Sequence, residues 1–424
     1  ISSVCFFLFV AEQFDIYAFI YASLISNGIC YITGLFLVCQ KAPAPQIKET
    51  RPILFVLFSA FSGSLSAAST PRIAYGWTTA VMPKETQEFF ILGFELALDK
   101  HLSSESKARW KTTSPLKVFS DTTRTSLAPV GLTEKMIEDS DAILLTGFPT
   151  SHEGMLSAER CAKADLLCLY IGASHDGMAH FGPKVLSTAE SMSLIAESMV
   201  KTASRRFKGK AGLMVRNPRA VYSTQLAGLV KKRVGAMGSN SPFHLDEVDM
   251  DAKRRIPEKV LKSLKEKFSF MIFTQYPEES DLLMDQLSST SEDLTLIVGS
   301  AWETMEPLRR LAARRKAPIY SHSIWLRGSK ESLPFETAFK QRYGRGVDAV
   351  AAYGFDMGII VSSLINRVSG PLTRAKIIEA YQSNRCFDGT SAGRLCFPEA
   401  GGHVNRKIFE VVFNKDKGFV RVED

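Results

Sequence analysis

Cysteine and histidine are scarce in this sequence, seven of each in 424 residues, and neither type gathers. A metal centre needs His, Cys or carboxylate ligands that converge on one point. His152, His175, His180 and His322 fall on loops that are spread along the chain, so they read as hydrated or hydrogen-bonded loop residues, and no metal or cofactor is called for. A nucleophile elbow is missing too, because neither Ser151 nor Ser174 lies in G-x-S-x-G. Ser151 stands beside His152, and Ser174 beside His175 and Asp176. Sequence neighbours project apart, however, whereas a catalytic serine, its base and its orienting acid must meet in space. The chain is therefore read as a non-enzyme. It also has no low-complexity tract, no internal repeat beyond a β-α unit, and no methionine before Met82.

What is abundant is ordinary globular composition, 45% apolar and 23% charged, over a length that favours two domains. The formal charge of +8 comes from clusters such as Lys231-Lys232-Arg233, Lys253-Arg254-Arg255 and Arg314-Arg315-Lys316. They lie on helix-length segments without interleaved aromatics, which describes solvated helix faces and gives no reason to expect a nucleic-acid partner.

Residues 1–68 differ from the rest. Ile16 to Val38 contains no charge and is long enough to span a bilayer. A second uncharged stretch, Pro52 to Ala68, follows Lys41, Lys48 and Arg51, has the apolar centre ILFVLF and ends in SGSLSAAS. That is the layout of a secretory signal peptide cleaved after Ala67 or Ala68. The expectation is an exported, periplasmic protein with an over-extended N-terminus, or alternatively a retained membrane anchor at residues 16–38. Cys5, Cys30 and Cys39 each lack the small preceding residue of a lipobox.

From Ser69 onward, apolar strands alternate with amphipathic helices. Strand candidates are Arg72 to Gly76, Leu116 to Ser120, Ala142 to Leu145, Leu166 to Ile171, Ala211 to Val215, Phe243 to Val248, Phe268 to Phe273 and Leu294 to Val298. Alternation of this kind predicts an α/β fold with doubly wound parallel sheets. The most informative stretch, DSDAILLTGFPTSHEGMLSAERCAKADLLCLYIGAS from Asp139 to Ser174, is one β-α-β unit whose strands end in small hydroxyl-bearing loops. Ligands bind outside the carboxyl ends of such strands. A natural break follows at Ser187 to Ser191, and after Tyr320 the pattern changes to helices and then hairpins. Gly93 reads as a site where the first helix packs closely on its sheet. Asp356 reads as a structural group that satisfies nearby backbone donors. Arg216 and Arg219 are left open between an anion contact and a surface role. Cys386 and Cys396 flank the turn-forming FDGTSAGRL and form a candidate disulfide across a hairpin. Cys161 and Cys168 read as small buried hydrophobes.

The order of several motifs resembles one family: FFILGFELALD, LTGFPTS followed by YIGAS, KGKAGLMVRNPRAVYSTQLAGLVKKRV, FKQRYGRGVDAVAAYGFDMG and CFDGTSAGRLCF. From Thr70 to Val422 the chain is similar to type I periplasmic binding proteins, specifically the branched-chain amino-acid-binding group of ABC-transporter substrate-binding proteins. The resemblance implies two α/β lobes joined by three crossover segments: 69–188 with about 322–385, and 189–321 with about 386–424. It implies a monomer that closes over a small-molecule ligand and delivers it to the permease of an ABC transporter. A membrane-linked sensing domain of the same fold is the alternative.

Carried over by position, the ligand-binding residues are Thr86, Ser151, Ala173, Ser174, Tyr222 and Tyr276. Ser151 and Ser174 with their backbone N–H groups would hold a carboxylate, and Tyr222 would cover the ligand with its ring. The resemblance also places an acid in the second lobe to accept a ligand ammonium. Here that loop reads VGSAWET, which puts Ala301 or Trp302 there unless Glu303 shifts in. A ligand without an ammonium, stacked on Trp302, is the resulting expectation: an amide, an aromatic acid or another small polar compound.

Overall fold

The computed structural model describes residues 70–78, 84–110, 115–122, 125, 127–276, 283, 285–287, 293–300, 312, 315–414 and 418–422. The expected leader or anchor at 1–68, and Ala301, Trp302 and Glu303, lie outside the described residues.

The chain builds one sheet first: β1 (Arg72–Thr78), helices α1 (Lys84–His101) and α2 (Ser104–Arg109), β2 (Leu116–Asp121), α3 (Ala128–Glu138), β3 (Ala142–Gly147), α4 (Ser151–Lys163), β4 (Leu167–Tyr170), a 3-10 turn at Asp176–Phe181, and β5 (Val185–Ser187). It then crosses over and builds a second: α5 (Met192–Arg206), β6 (Ala211–Arg216), α6 (Val221–Met237), β7 (His244–Asp249), α7 (Glu258–Lys267), β8 (Phe270–Phe273), β9 (Thr295–Ile297) and β10 (Ile319–Ser323). It returns through α8 (Leu333–Tyr343), α9 (Ala349–Arg367), α10 (Arg374–Ser383), β11 (Cys386–Thr390), β12 (Gly393–Cys396) and β13 (Gly402–His403). It ends in β14 (Phe409–Asn414) and β15 (Gly418–Arg421).

The first sheet runs β13-β5-β4-β3-β1-β2 and the second β15-β14-β10-β9-β8-β6-β7. In both, the first strand of the lobe has the second on one side and the third on the other. That makes a topological switch point between β1 and β3, and another between β6 and β8. The strands at these points pair in parallel, so their carboxyl ends open on one side of each sheet. Helices cover both faces. Parallel strands sandwiched this way must be apolar on both sides, and accordingly every residue of β3 and of β8 is buried.

Helices α1 and α9 form the largest contact in the first lobe, burying Phe90, Phe94, Met357 and Ile360. Helix α9 is long and apolar enough to cross a membrane by length and composition, yet its residues are mostly buried inside the protein. An ideal Cβ on Gly93 would lie 2.0 Å from the Ala351 carbonyl oxygen. The close approach expected at this glycine is therefore to helix α9, not to the sheet.

All eight candidate strands form. Among the elements that escaped the sequence reading are β5, only three residues long, and β10, whose IYSHS is too polar to read as a core strand. Helix α4 starts at Ser151, three residues before the expected Gly154. Thr150 and Glu153 build a reciprocal capping box that fixes the earlier start.

The expected handover to the second lobe at residue 386 is corrected. Strand β13 pairs with β5, and Phe387, Leu395, Phe397 and Val404 join the core of the first lobe. Apolar side chains on the β11-β12 hairpin hold it there, so the final crossover comes only after Val404. Asp356 of α9 anchors this region: its carboxylate accepts from Ser391 N–H (2.6 Å) and pairs with Arg406 (3.0 Å), all three residues being buried. Cys386 and Cys396 are register partners and are joined by a disulfide. Cys161 and Cys168 are buried free thiols.

Candidate functional site

Loops that follow the strands at the two switch points touch across the lobes. Gly147 ends β3 with φ at 123°, and a Cβ there would lie 2.0 Å from the Gly76 carbonyl oxygen, so β3 leaves the sheet pressed against β1 in a conformation that glycine adopts without strain. The turn that follows places Ser151 at the first helical position of α4, where backbone N–H groups lack intrahelical acceptors. Its N–H donates to the Tyr276 hydroxyl of the other lobe at 3.3 Å. Its hydroxyl accepts from Ser174 N–H at 3.1 Å. The Ser174 carbonyl accepts in turn from Met192 N–H at 2.8 Å, which ties the loop after β4 to the first crossover.

From the crossover the contacts continue into the second lobe. Glu190 accepts a hydrogen bond from the Ser300 hydroxyl, beyond the end of β9. Beside Ser300, a Cβ on Gly299 would lie 3.2 Å from the Tyr222 hydroxyl. Tyr222 stacks on Tyr276, with ring centroids 4.1 Å apart and planes 24° apart. Ser151, Ser174, Glu190, Ser300, Tyr222 and Tyr276 thus form a closed ring drawn from both lobes and the first crossover. Ser223 steadies the Tyr222 loop by accepting from Asn217 N–H at 2.9 Å and sharing a 2.9 Å bond with Thr274.

Two buried carboxyls flank this ring with opposite electrostatics. Burial pushes the Glu153 carboxyl above its ordinary value, against hydrogen bonds from Thr78 and Thr150. Burial also acts to raise Glu190, but the nearby His322 imidazole and the Ser300 hydroxyl outweigh it and hold this carboxyl below the ordinary value. The Tyr222 hydroxyl is pushed well up by burial, then by Tyr276 and by the Glu190 charge. Glu190 and His322 are each 1% exposed, with His322 Nε2 3.6 Å from Glu190 Oε1.

Of the residues singled out in the sequence, Ser151, Ser174, Tyr222 and Tyr276 come together directly. Ala173 is wholly buried, packed beside Gly154 of α4, and lies next to the ring through Ser174. Thr86 is half-buried in the first turn of α1. Trp302 lies outside the described residues. Ser174 does not start a helix: His175 caps the 3-10 turn that follows, its Nδ1 accepting from Gly177 N–H at 3.0 Å. Asp176 is occupied by Ser193, whose N–H and hydroxyl donate to it at 3.1 and 2.6 Å. Ser174, His175 and Asp176 therefore face different partners and do not assemble a nucleophile with its base. Arg216 is held by Asp249 in a two-pronged, partly exposed pair (2.7 and 2.8 Å). His322 is not the hydrated loop residue expected. It ends β10 in the interior beside Glu190, and neither member of that pair was marked as a site residue in the sequence. An acid in the otherwise small and polar STAES was the available signal.

No protein-family model matches the sequence, and no curated protein matches it. Solved structures do. A branched-chain amino acid transporter substrate-binding protein from Streptococcus pneumoniae, in complex with isoleucine, shares 15% identity over 83% of this chain and 100% of its own, with a TM-score of 0.66. An ABC transporter substrate-binding protein from Desulfitobacterium hafniense, in complex with Leu, shares 15% identity over 83% of this chain and 99% of its own, with a TM-score of 0.65. A solute-binding protein of an ABC transporter from Rhodopseudomonas palustris, in complex with 3,4-dihydroxybenzoic acid, shares 13% identity over 84% of this chain and 96% of its own, with a TM-score of 0.65. Two doubly wound sheets with matching strand order, joined by three crossovers and similar over almost the full length of these structures, give this chain the type I periplasmic-binding-protein fold.

Proposed function

We propose that this protein is an exported solute-binding protein that closes two lobes over a small carboxylate-bearing ligand and presents the closed form to an ABC permease. The observation that carries the reading is the contact across the lobes from Ser151 N–H, at the start of α4, to the Tyr276 hydroxyl. An N–H at a helix start is a strong donor to an anion. A ligand carboxylate would exchange the neutral tyrosine oxygen for a charged one, and charge-assisted hydrogen bonds are roughly twice as strong as neutral ones. The Ser151–Tyr276 contact is complete only when the lobes meet, so a ligand held between them favours closure by differential contact. The neighbours with isoleucine, leucine and dihydroxybenzoic acid support a small carboxylate as cargo.

A thermal-shift screen over amino acids, aromatic acids and short amides tests this. A true ligand at about 100 times its dissociation constant adds about 2.7 kcal/mol of stability. A screen in which no compound raises the melting temperature would refute the reading.

A further inference from the structure

We propose that Glu190 is a specificity-determining residue of the cleft, whose Oε2 accepts a cationic group of the ligand. The inference rests on the solute-binding reading above and names the ligand class: small carboxylates that also carry a primary ammonium. Glu190 is 1% exposed and its Oε1 already has the Ser300 hydroxyl, with His322 Nε2 3.6 Å away. Its Oε2 is buried and accepts no hydrogen bond. A carboxylate removed from water is costly unless its lone pairs are taken, and a bare buried oxygen is a demand for a donor. A primary ammonium meets that demand with both a proton and a charge.

The placement fits a ligand contact better than a purely structural one. Glu190 comes from the first crossover, two residues before Met192, whose N–H holds the Ser174 carbonyl. Ser174 in turn donates to Ser151, where the ligand carboxylate binds. On its other side Glu190 reaches Ser300 and the neighbourhood of the Tyr222 hydroxyl. The acid therefore stands in the ring between the donor end in the first lobe and the tyrosines of the second, so one small zwitterion can engage both. An acid without an ammonium would instead set its charge near a second carboxylate in a water-poor site.

The test is isothermal titration of the purified protein with L-leucine, L-phenylalanine and L-glutamate against isocaproate, hydrocinnamate and glutarate, which lack only the amino group. At least one amino acid should bind about 10- to 100-fold more tightly than its partner, the factor expected for a hydrogen bond to a charged group. Glu190→Gln should remove that preference. Equal affinity within each pair for the unmodified protein would overturn the Glu190 proposal alone, and needs no variant to fold. A preference that survives in Glu190→Gln would overturn it as well. Binding of none of the six compounds would count against the solute-binding reading itself, and against Glu190 with it.

Discussion

Replacing one hydrogen by a methyl group should have opposite signs at two glycines of this protein. Gly354 in α9 faces α1, and a Cβ there would lie 2.1 Å from the Phe90 carbonyl oxygen, a backbone atom that no rotamer change can move. Carbon and oxygen normally approach no closer than about 3.3 Å, so the helices would have to part by about 1 Å along a seam that buries Phe90, Phe94, Met357 and Ile360. Gly358, one turn on, meets Ala97 and Phe94 in the same way, so the helix cannot pivot around the new methyl. Overpacking a core costs about 1–3 kcal/mol, against a gain of about 1 kcal/mol from alanine's helix propensity. Gly354→Ala should therefore destabilise by about 2 kcal/mol or less. Gly228 in α6 is exposed and has no atom within 4 Å of the place a methyl carbon would take, so Gly228→Ala should stabilise by about 1 kcal/mol. Urea denaturation followed by circular dichroism measures both on one baseline. If Gly354→Ala raised the midpoint as Gly228→Ala does, the close approach of α1 and α9 would be refuted.

Two further outcomes follow from the hairpin and from the buried acid in α4. The Cys386–Cys396 bond closes a loop with a sequence separation of 10, so the double serine variant should lose about 3 kcal/mol in the chain-entropy account. An unchanged denaturation midpoint would sink that account. Glu153 has its folded-state pKa raised by burial, so its contribution is fully present below the unfolded value and is lost as pH rises through the folded one. The stability advantage of the natural protein over Glu153→Gln should therefore shrink from the ordinary carboxylate range upward, by about 1.4 kcal/mol per pH unit within that window. A difference independent of pH would contradict it.

The strands were legible because parallel sheets covered on both faces leave near-continuous apolar runs, and Ala142 to Leu145 or Phe270 to Phe273 can be read without a partner. Strands β5 and β10 were not, and for separate reasons. Val185–Ser187 is too short to show a period, and Ile319–Ser323 buries Ser321, His322 and Ser323 through contacts with other segments. The hydroxyl of Ser321, for example, donates to the Val298 and Gly299 carbonyls at 3.2 and 3.1 Å. The handover between lobes near residue 404 was also hidden. Phe387, Leu395 and Phe397 are apolar in either lobe, and only the pairing of Gly402 with Leu186 decides which core receives them.

The same contrast divides the candidate site. Ser151, Ser174, Tyr222 and Tyr276 sit in loops that leave strand ends, and the rule that ligands gather at switch points finds such loops from local pattern. Glu190 sits on a crossover, where the chain has neither helical nor strand period, and its neighbours Ser300 and His322 are more than a hundred residues away in sequence. Its significance appears only when the lobes are in place, because only then is its carboxylate out of water with one oxygen occupied and the other bare. A search confined to strand-end loops finds Ala301 or Trp302 at the expected position, an acid only if Glu303 shifts in, and hence leads to the expectation of a ligand without an ammonium. In the proposal above, the crossover would supply that charge from a different element. The proposed donor end of the cleft thus follows from local sequence, whereas the proposed acceptor for a ligand cation follows from where the lobes meet.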